Sequence, residues 1–278
     1  MTVDRAAVLG ELATKLSGIS LARPVRVAID GRTASGKTTL ADEIASLIRS
    51  KGYPVIRTSI DGFHRPKAER YARGRHSPEG YYHDARDLAA VRTLLLAPLG
   101  PEGDRLYRTQ SFDLENDVPV EQEPQLAPAD AILVVDGTFL QRPELRDGWD
   151  ITIFVKTSER TSERRGVTRD ADRLGGENVA RQLYTERYRP AFDLYERLCV
   201  PEKDADILLV NEDFQRPQIH IRQDGRLARK HDPRTALHPE RTSSRGLTLL
   251  VEIGDIAYQN KVTICDILFQ GRGRGRML

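Results

Sequence analysis

Ala28-Ile29-Asp30-Gly31-Arg32-Thr33-Ala34-Ser35-Gly36-Lys37-Thr38-Thr39 is the stretch on which the reading of this chain turns. Gly31, Gly36, Lys37 and Thr38 stand at the fixed positions of G-x-x-x-x-G-K-[ST], a pattern that carries meaning only between a strand and a helix. Both are expected. Pro24–Asp30 is a short β-prone run, and Leu40, Ile44, Leu47 and Ile48 repeat at helical spacing behind the loop. Glycine lets the backbone curl so that its N–H groups converge on phosphate oxygens, and the helix presents its positive end to the same anion. Gly31, Thr33, Ala34, Ser35, Gly36, Lys37, Thr38 and Thr39 are therefore the candidate phosphate cradle. Lys37 would reach the outer phosphates, and the Thr38 hydroxyl would take a place on Mg²⁺.

The chain has 278 residues, 39% hydrophobic and 30% charged, enough for one sizeable α/β core with an appendage. A formal net charge of +2 creates no global field that would demand nucleic acid or a membrane surface. Cys199 and Cys265 sit in apolar contexts without C-x-x-C spacing, which speaks against a disulfide framework or a zinc site. Met1-Thr-Val-Asp-Arg5 lacks the basic-then-apolar pattern of a signal peptide. No apolar run approaches the ~20 residues that span a bilayer. A cytoplasmic, soluble protein is expected.

Outward from the loop, residues 3–19 carry Val8, Leu9, Leu12, Leu16 and Ile19 at helix spacing. Val55–Ile60 is a second strand with Asp61 just past its end. Strand, helix, strand at this spacing predicts a right-handed parallel unit, and ligands gather at the carboxyl ends of such strands. Asp61 thus lies on the edge that faces the phosphate loop. Residues 62–87 are dense in Arg, His and Tyr without apolar periodicity, and read as a substrate-acceptor loop. Residues 87–99 form a helix. Arg105–Asp113 is a polar hairpin arm, and 115–128 an acidic, proline-rich surface loop. Ala131–Val135 is a buried strand ending in Asp136, similar to the strand that supplies a Mg²⁺-holding acid behind phosphate loops. Ile151–Val155 is another strand. Ser158–Arg173 is a basic helix, with Arg160 and Arg164 four apart beside Arg165, Arg169 and Arg173. Guanidinium forks in such stripes suit the spreading charge of a transferring phosphoryl group. A long helix over 178–197 and a strand over 205–210 follow. The order predicts a phosphate-loop NTPase fold: a mostly parallel five-stranded sheet with helices on both faces, ending near Pro217.

Taken together, these residues resemble the uridine kinase and phosphoribulokinase group of phosphate-loop kinases, over roughly residues 24–215. The phosphate loop is followed by Ser59-Ile-Asp61-Gly-Phe-His64, similar to S-x-D-x-F-[YH], then by Val134-Val-Asp136-Gly137, where the group commonly carries Glu-Gly. Arg164-Arg165…Arg169-Asp170…Arg173 is similar to the arginine-bearing lid. Tyr184…Arg189-Pro190-Ala191-Phe192…Pro201…Ala205-Asp206-Ile207 is similar to Q-Y…K-P-A-F…P…A-D-I-I. The resemblance implies ATP and Mg²⁺, with Lys37, Arg169 and Arg173 on the transferring charge and Arg165 on the nucleotide. It makes Asp61 the base for the acceptor hydroxyl, and Thr38 with Asp136 the metal holders. His64, Tyr81, Tyr82, Arg108 and Phe112 are the candidate acceptor contacts. The implied acceptor is the 5′-hydroxyl of uridine or cytidine.

Two segments depart from the group. P-x-Y-D-F-x-x-H-x-R, which holds the nucleobase, is matched only by Asp104–Asp113, without the His and the final Arg. N-F-D-H-P-D-A-F-D is replaced by Gly80-Tyr-Tyr-His-Asp-Ala-Arg-Asp87. A phosphorylated or carboxylated alcohol is therefore an alternative acceptor, and a nucleotide switch without a small acceptor is the other. Against a GTPase switch, N-K-x-D is absent; Asn211-Glu-Asp213 lacks the lysine. The partner expected is a small-molecule phosphoryl acceptor, with no membrane and no nucleic acid; a homo-oligomer stays open. Residues 1–217 read as the kinase domain. Residues 218–278 read as a basic linker over 222–246, two β-prone runs at 247–253 and 261–269, and a Gly-Arg tail.

Overall fold

The structure, a computed structural model, describes residues 4–227. Six strands build one sheet: β1 (Val25–Gly31), β2 (Val55–Ser59), β3 (Ile132–Gly137), β4 (Ile151–Lys156), β5 (Ile207–Val210) and β6 (Gln218–Ile221), in the order β6-β5-β4-β1-β3-β2. All neighbouring pairs are parallel except β5–β6. The principal helices are α1 (Arg5–Ser17), α2 (Lys37–Ser50), α3 (Pro78–His83), α4 (Glu159–Leu174), α5 (Glu177–Leu183) and α6 (Arg189–Cys199).

The central strand β1 is buried along its whole length, as parallel strands covered on both faces must be. Val25, Val27 and Ile29 join Leu40, Ile44 and Ile48 of α2 and Leu9, Leu12 and Leu16 of α1 in one core. Ala28 faces a second core with Leu133, Val135, Val91, Leu95 and Trp149. A third, largely aromatic cluster holds Tyr81, Tyr82, Phe139, Phe154, Phe192 and Tyr195. Each large side chain buried this way contributes about 1.5–3 kcal/mol.

Four expectations change. The sheet has a sixth strand, β6, antiparallel at the edge and beyond the expected end at Pro217. Leu227, past it, is buried in the first core. The helices expected over 87–99 and 178–197 are each interrupted, by π-helical turns at Val91–Leu96 and Tyr184–Tyr188. The second lies directly before Pro190, which has no N–H and crowds the preceding turn, so the regular ladder gives way there. Residues 62–87 are not an extended loop. They form short helical turns at Ile60–Phe63 and Lys67–Arg70 and the helix α3. Residues 105–113 do not form a hairpin by themselves: they pair with the stretch expected as a surface loop, in two small antiparallel ladders, Leu106–Tyr107 with Gln125–Leu126 and Phe112–Asp113 with Val118–Pro119. The β-prone runs at 247–253 and 261–269, the Gly-Arg tail and Cys265 lie outside the described residues.

The topology positions the site. The chain leaves β1, passes over the place later filled by β3, and forms β2 at the edge. The register sets Asp136 level with Ile29 on one side and Ser59 on the other. The loop after β1, the acid of β3 and the acid after β2 therefore meet at one edge of the sheet.

Candidate active site

A cleft of about 290 Å³ opens at that edge, lined by Thr33, Ala34, Gly36, Lys37, Thr38, Thr39, Asp61, Tyr81, Arg86, Asp136, Arg165, Arg169 and Phe214 among others. The loop fits a chain of phosphates. A Cβ at Gly31 would stand 2.5 Å from the Val155 carbonyl oxygen. At Gly36, whose φ is 96°, it would stand 2.5 Å from Asn211 Nδ2, so glycine is required at both. Asn211 Nδ2 also donates to the Ser35 carbonyl at 2.7 Å, and the Ser35 hydroxyl is buried without a partner. Gly36 caps the N-terminus of α2, which leaves the first N–H groups of that helix directed at the cleft.

The charged groups follow from the strands. Thr38 Oγ1 donates to Asp136 Oδ2 at 2.5 Å, and Arg57 pairs with Asp136 Oδ1 at 2.7 Å. A hydroxyl beside a buried carboxylate is an all-oxygen donor set suited to Mg²⁺. Lys37 is buried, and burial lowers its pKa against the pull of Asp136 and Asp30. Behind the loop, the fully buried Asp30 accepts from Gly31 N, Phe139 N, Gln141 Nε2 and the Tyr195 hydroxyl. Burial raises its pKa. Phe139 sits at φ 75°, so this one carboxylate ties the phosphate loop to a strained turn after β3.

Asp61 stands at the solvent side of the cleft, its side chain 58% exposed. Crowding alone would raise its pKa, but Arg86, then His64 and Lys37, hold the carboxyl below its usual range. Arg86 Nη2 donates to Asp61 Oδ1 at 3.1 Å. His64 is pushed down to about 4 by burial and by Arg86, so at neutral pH it is an uncharged ring whose Nδ1–H meets the Asp61 carbonyl at 2.9 Å. The segment after Asp61 folds back on itself. Arg65 N bonds to Ala85 O at 3.1 Å and Asp87 N to Phe63 O at 2.8 Å, and this clasp delivers Arg86 to Asp61.

No family model matches the chain. Individual relatives do. Uridine-cytidine kinase B of Dictyostelium discoideum is 31% identical over 188 residues, 67% of this chain and 74% of that protein. The chain belongs to the uridine kinase family of phosphate-loop kinases. It is a phosphotransferase with an alcohol acceptor. Uridine kinase-like protein 5 of Arabidopsis thaliana is 27% identical over 68% of this chain, which spans 39% of that longer protein. The solved structure of a possible uridine kinase from Bacillus stearothermophilus superposes with a TM-score of 0.57 at 25% identity, covering 72% of this chain and 96% of that one.

As a uridine kinase family member, the chain brings its loop residues, Asp61, Asp136, Tyr81, Arg165 and Arg169 to one cleft. Arg165 is held by the carbonyls of Asn211 and Glu212, each at 3.0 Å. Arg169 is clamped by two 2.9 Å bonds to Asp170, which also accepts from Tyr184. Arg173 stands outside the cleft lining, 70% exposed and 3.4 Å from Asp170. Of the five expected acceptor contacts only Tyr81 lines the cleft; His64 is turned to the Asp61 backbone carbonyl, and three others lie elsewhere. Tyr82 points into the aromatic core, with its hydroxyl on Cys199 Sγ and the Arg142 guanidinium over its ring. Arg108 is spent on the Gln122 carbonyl, and Phe112 is buried in the arm near Arg70. Reading residue types could not separate Tyr81 from Tyr82, because consecutive positions on α3 point to different surroundings. Arg86 and Phe214 line the cleft and were not among the expected residues. For Arg86 the available signal was its place in Asp84-Ala85-Arg86-Asp87, where the family's D-A-F-D has Phe.

Proposed function

We propose that this protein transfers the γ-phosphoryl group of ATP to the hydroxyl of a small molecule, with Asp61 as the base. One observation carries the reading: an ionised carboxylate stands in the same cleft as a glycine-shaped phosphate loop with its lysine, threonine and acid. The loop N–H groups and the end of α2 would hold the phosphates. Thr38 and Asp136 would hold Mg²⁺, which when bound neutralises phosphate oxygens. Lys37 would stabilise the spreading charge, joined by Arg169, which Asp170 holds at the cleft. Asp61 would orient the acceptor oxygen in line and take its proton as the bond to phosphorus forms. Arg173 would complete the lid on closure, keeping water from competing with the acceptor.

The names of the relatives make the 5′-hydroxyl of uridine or cytidine the acceptor to test first. ADP formation from ATP should stay slow until an accepted alcohol is added, and then rise with its concentration. A rate that ignores every alcohol, with ATP still bound, would sink the kinase reading in favour of an NTPase or nucleotide switch.

A further inference from the structure

Arg86 carries more hydrogen-bonding capacity than its surroundings use. The side chain is 7% exposed and lines the cleft. Among the described residues, only Nη2 has partners, Asp61 Oδ1 at 3.1 Å and the Tyr81 hydroxyl at 3.4 Å. Nε and Nη1 are buried without any. The rings of Tyr81 and Phe139 lie 5.1 and 5.9 Å from the guanidinium carbon, but ring contacts engage the face of the cation, while its N–H bonds lie in the plane. A guanidinium that only positioned Asp61 would not need those edges left open in the cleft that receives the acceptor.

The charge balance points the same way. Arg187, 5% exposed, stacks 4.8 Å from the same Tyr81 ring, forms no ion pair among the described residues, and leaves Nε unpartnered. His64 is uncharged at neutral pH. Arg70 is neutralised by Asp117 at 2.7 Å. Beside the Tyr81 ring, Arg86 thus has Asp61 as its carboxylate, and Arg187 lies against the Tyr71 and Tyr81 rings. Buried charge of one sign is stable when an opposite charge arrives.

We propose that the acceptor carries an anionic group, carboxylate or phosphate, that binds the open edges of Arg86 while its hydroxyl lies against Asp61. This rests on the kinase reading above. Fork-shaped donors match both anions, so the chemistry is shared and the experiment separates them.

The first arm measures binding alone. With the nucleotide half filled by Mg²⁺ and the non-hydrolysable analogue AMP-PNP, calorimetry follows titration with glycerate, glycerol 3-phosphate, glycerol and uridine. At least one of the two anions is expected to bind and glycerol is not; whichever binds tells carboxylate from phosphate. Arg86→Met should weaken that anion about 10- to 100-fold, with AMP-PNP affinity unchanged, and Arg86→Lys should recover part of the loss. The second arm reads ADP formation with the same four compounds, where the anion that binds should give the highest kcat/KM. The proposal is overturned if neither anion binds the AMP-PNP complex, if Arg86→Met leaves anion binding unchanged while folded by its melting curve, or if uridine surpasses both anions in kcat/KM. The kinase reading survives each of those results. It falls instead, and this inference with it, if AMP-PNP does not bind.

Discussion

Asp61 and His64 are three residues apart and face the same guanidinium, yet they answer to different tests. Asp61→Asn keeps the shape and removes the base; transfer should fall about 10²- to 10⁴-fold while ATP affinity, measured by calorimetry, stays near normal. Equal loss of both would refute the assignment. For His64 the prediction concerns stability. Above pH 6.5 the ring is neutral in both folded and unfolded chains and contributes nothing to pH dependence. Between 6.5 and about 4 only the unfolded chain gains the proton, so stability falls as pH falls through that window. The loss by pH 4.5 is on the order of 2–3 kcal/mol. His64→Gln should remove that share of the slope, read by urea unfolding at pH 7 and 4.5. At this scale, Lys37, Thr38, Asp61 and Asp136 were legible because each is set by a short local spacing. Arg86 was not. It reaches Asp61 from 25 residues away through backbone bonds that no residue pattern announces.

Among the elements, α4 rests on the π-turn through a glycine. A Cβ at Gly166 would lie 1.9 Å from the Tyr184 hydroxyl oxygen. That hydroxyl donates to Asp170 at 2.9 Å, and Asp170 in turn clamps Arg169. Gly166→Ala would gain about 1 kcal/mol of helix propensity, but the overlap with a buried tyrosine costs about 1–3 kcal/mol and should win. The expected result is a melting temperature several degrees lower. The KM for ATP should also rise as the lid arginine loses its anchor; a melting curve and a KM both unchanged would argue against this coupling. The helices themselves were legible from periodicity. Their π-turns were not, because periodicity describes which face is buried and carries no record of where a ladder slips by one residue.

For the whole molecule, the informative boundary lies after β5. The strand β6 adds four residues to the sheet edge, and Leu227 follows at 2% exposure. Arg226 pairs at 2.8 Å with Asp206, a carboxylate only 4% exposed. A chain ending at Pro217 would lose the strand and leave Asp206 with its bonds from Thr152 but without the Arg226 cation. We expect such a chain to unfold at lower denaturant than the 278-residue chain, with nucleotide affinity retained once folded; an unchanged midpoint would show that the edge contributes nothing. The fold class and the succession of strands along the chain up to β5 were legible because βαβ units announce themselves; their order across the sheet was not. Gln218-Ile-His-Ile221 was not, being four residues at an edge, half polar, directly before the stretch 222–246 whose composition reads as linker.

The place of β1 between β3 and β4 has a consequence for how the chain is made. Val25 finds its first neighbour at Ile132, roughly a hundred residues downstream, and Val27 its second at Ile151. During synthesis the segment that would grip phosphate waits, with both backbone edges unpaired by those neighbours, until more than a hundred further residues have left the ribosome. Parallel pairings of this span close slowly, and exposed apolar edges invite association with other chains. The most conspicuous feature of the sequence is thus among the last to become functional, and the newborn chain depends on whatever shields β1 during that interval.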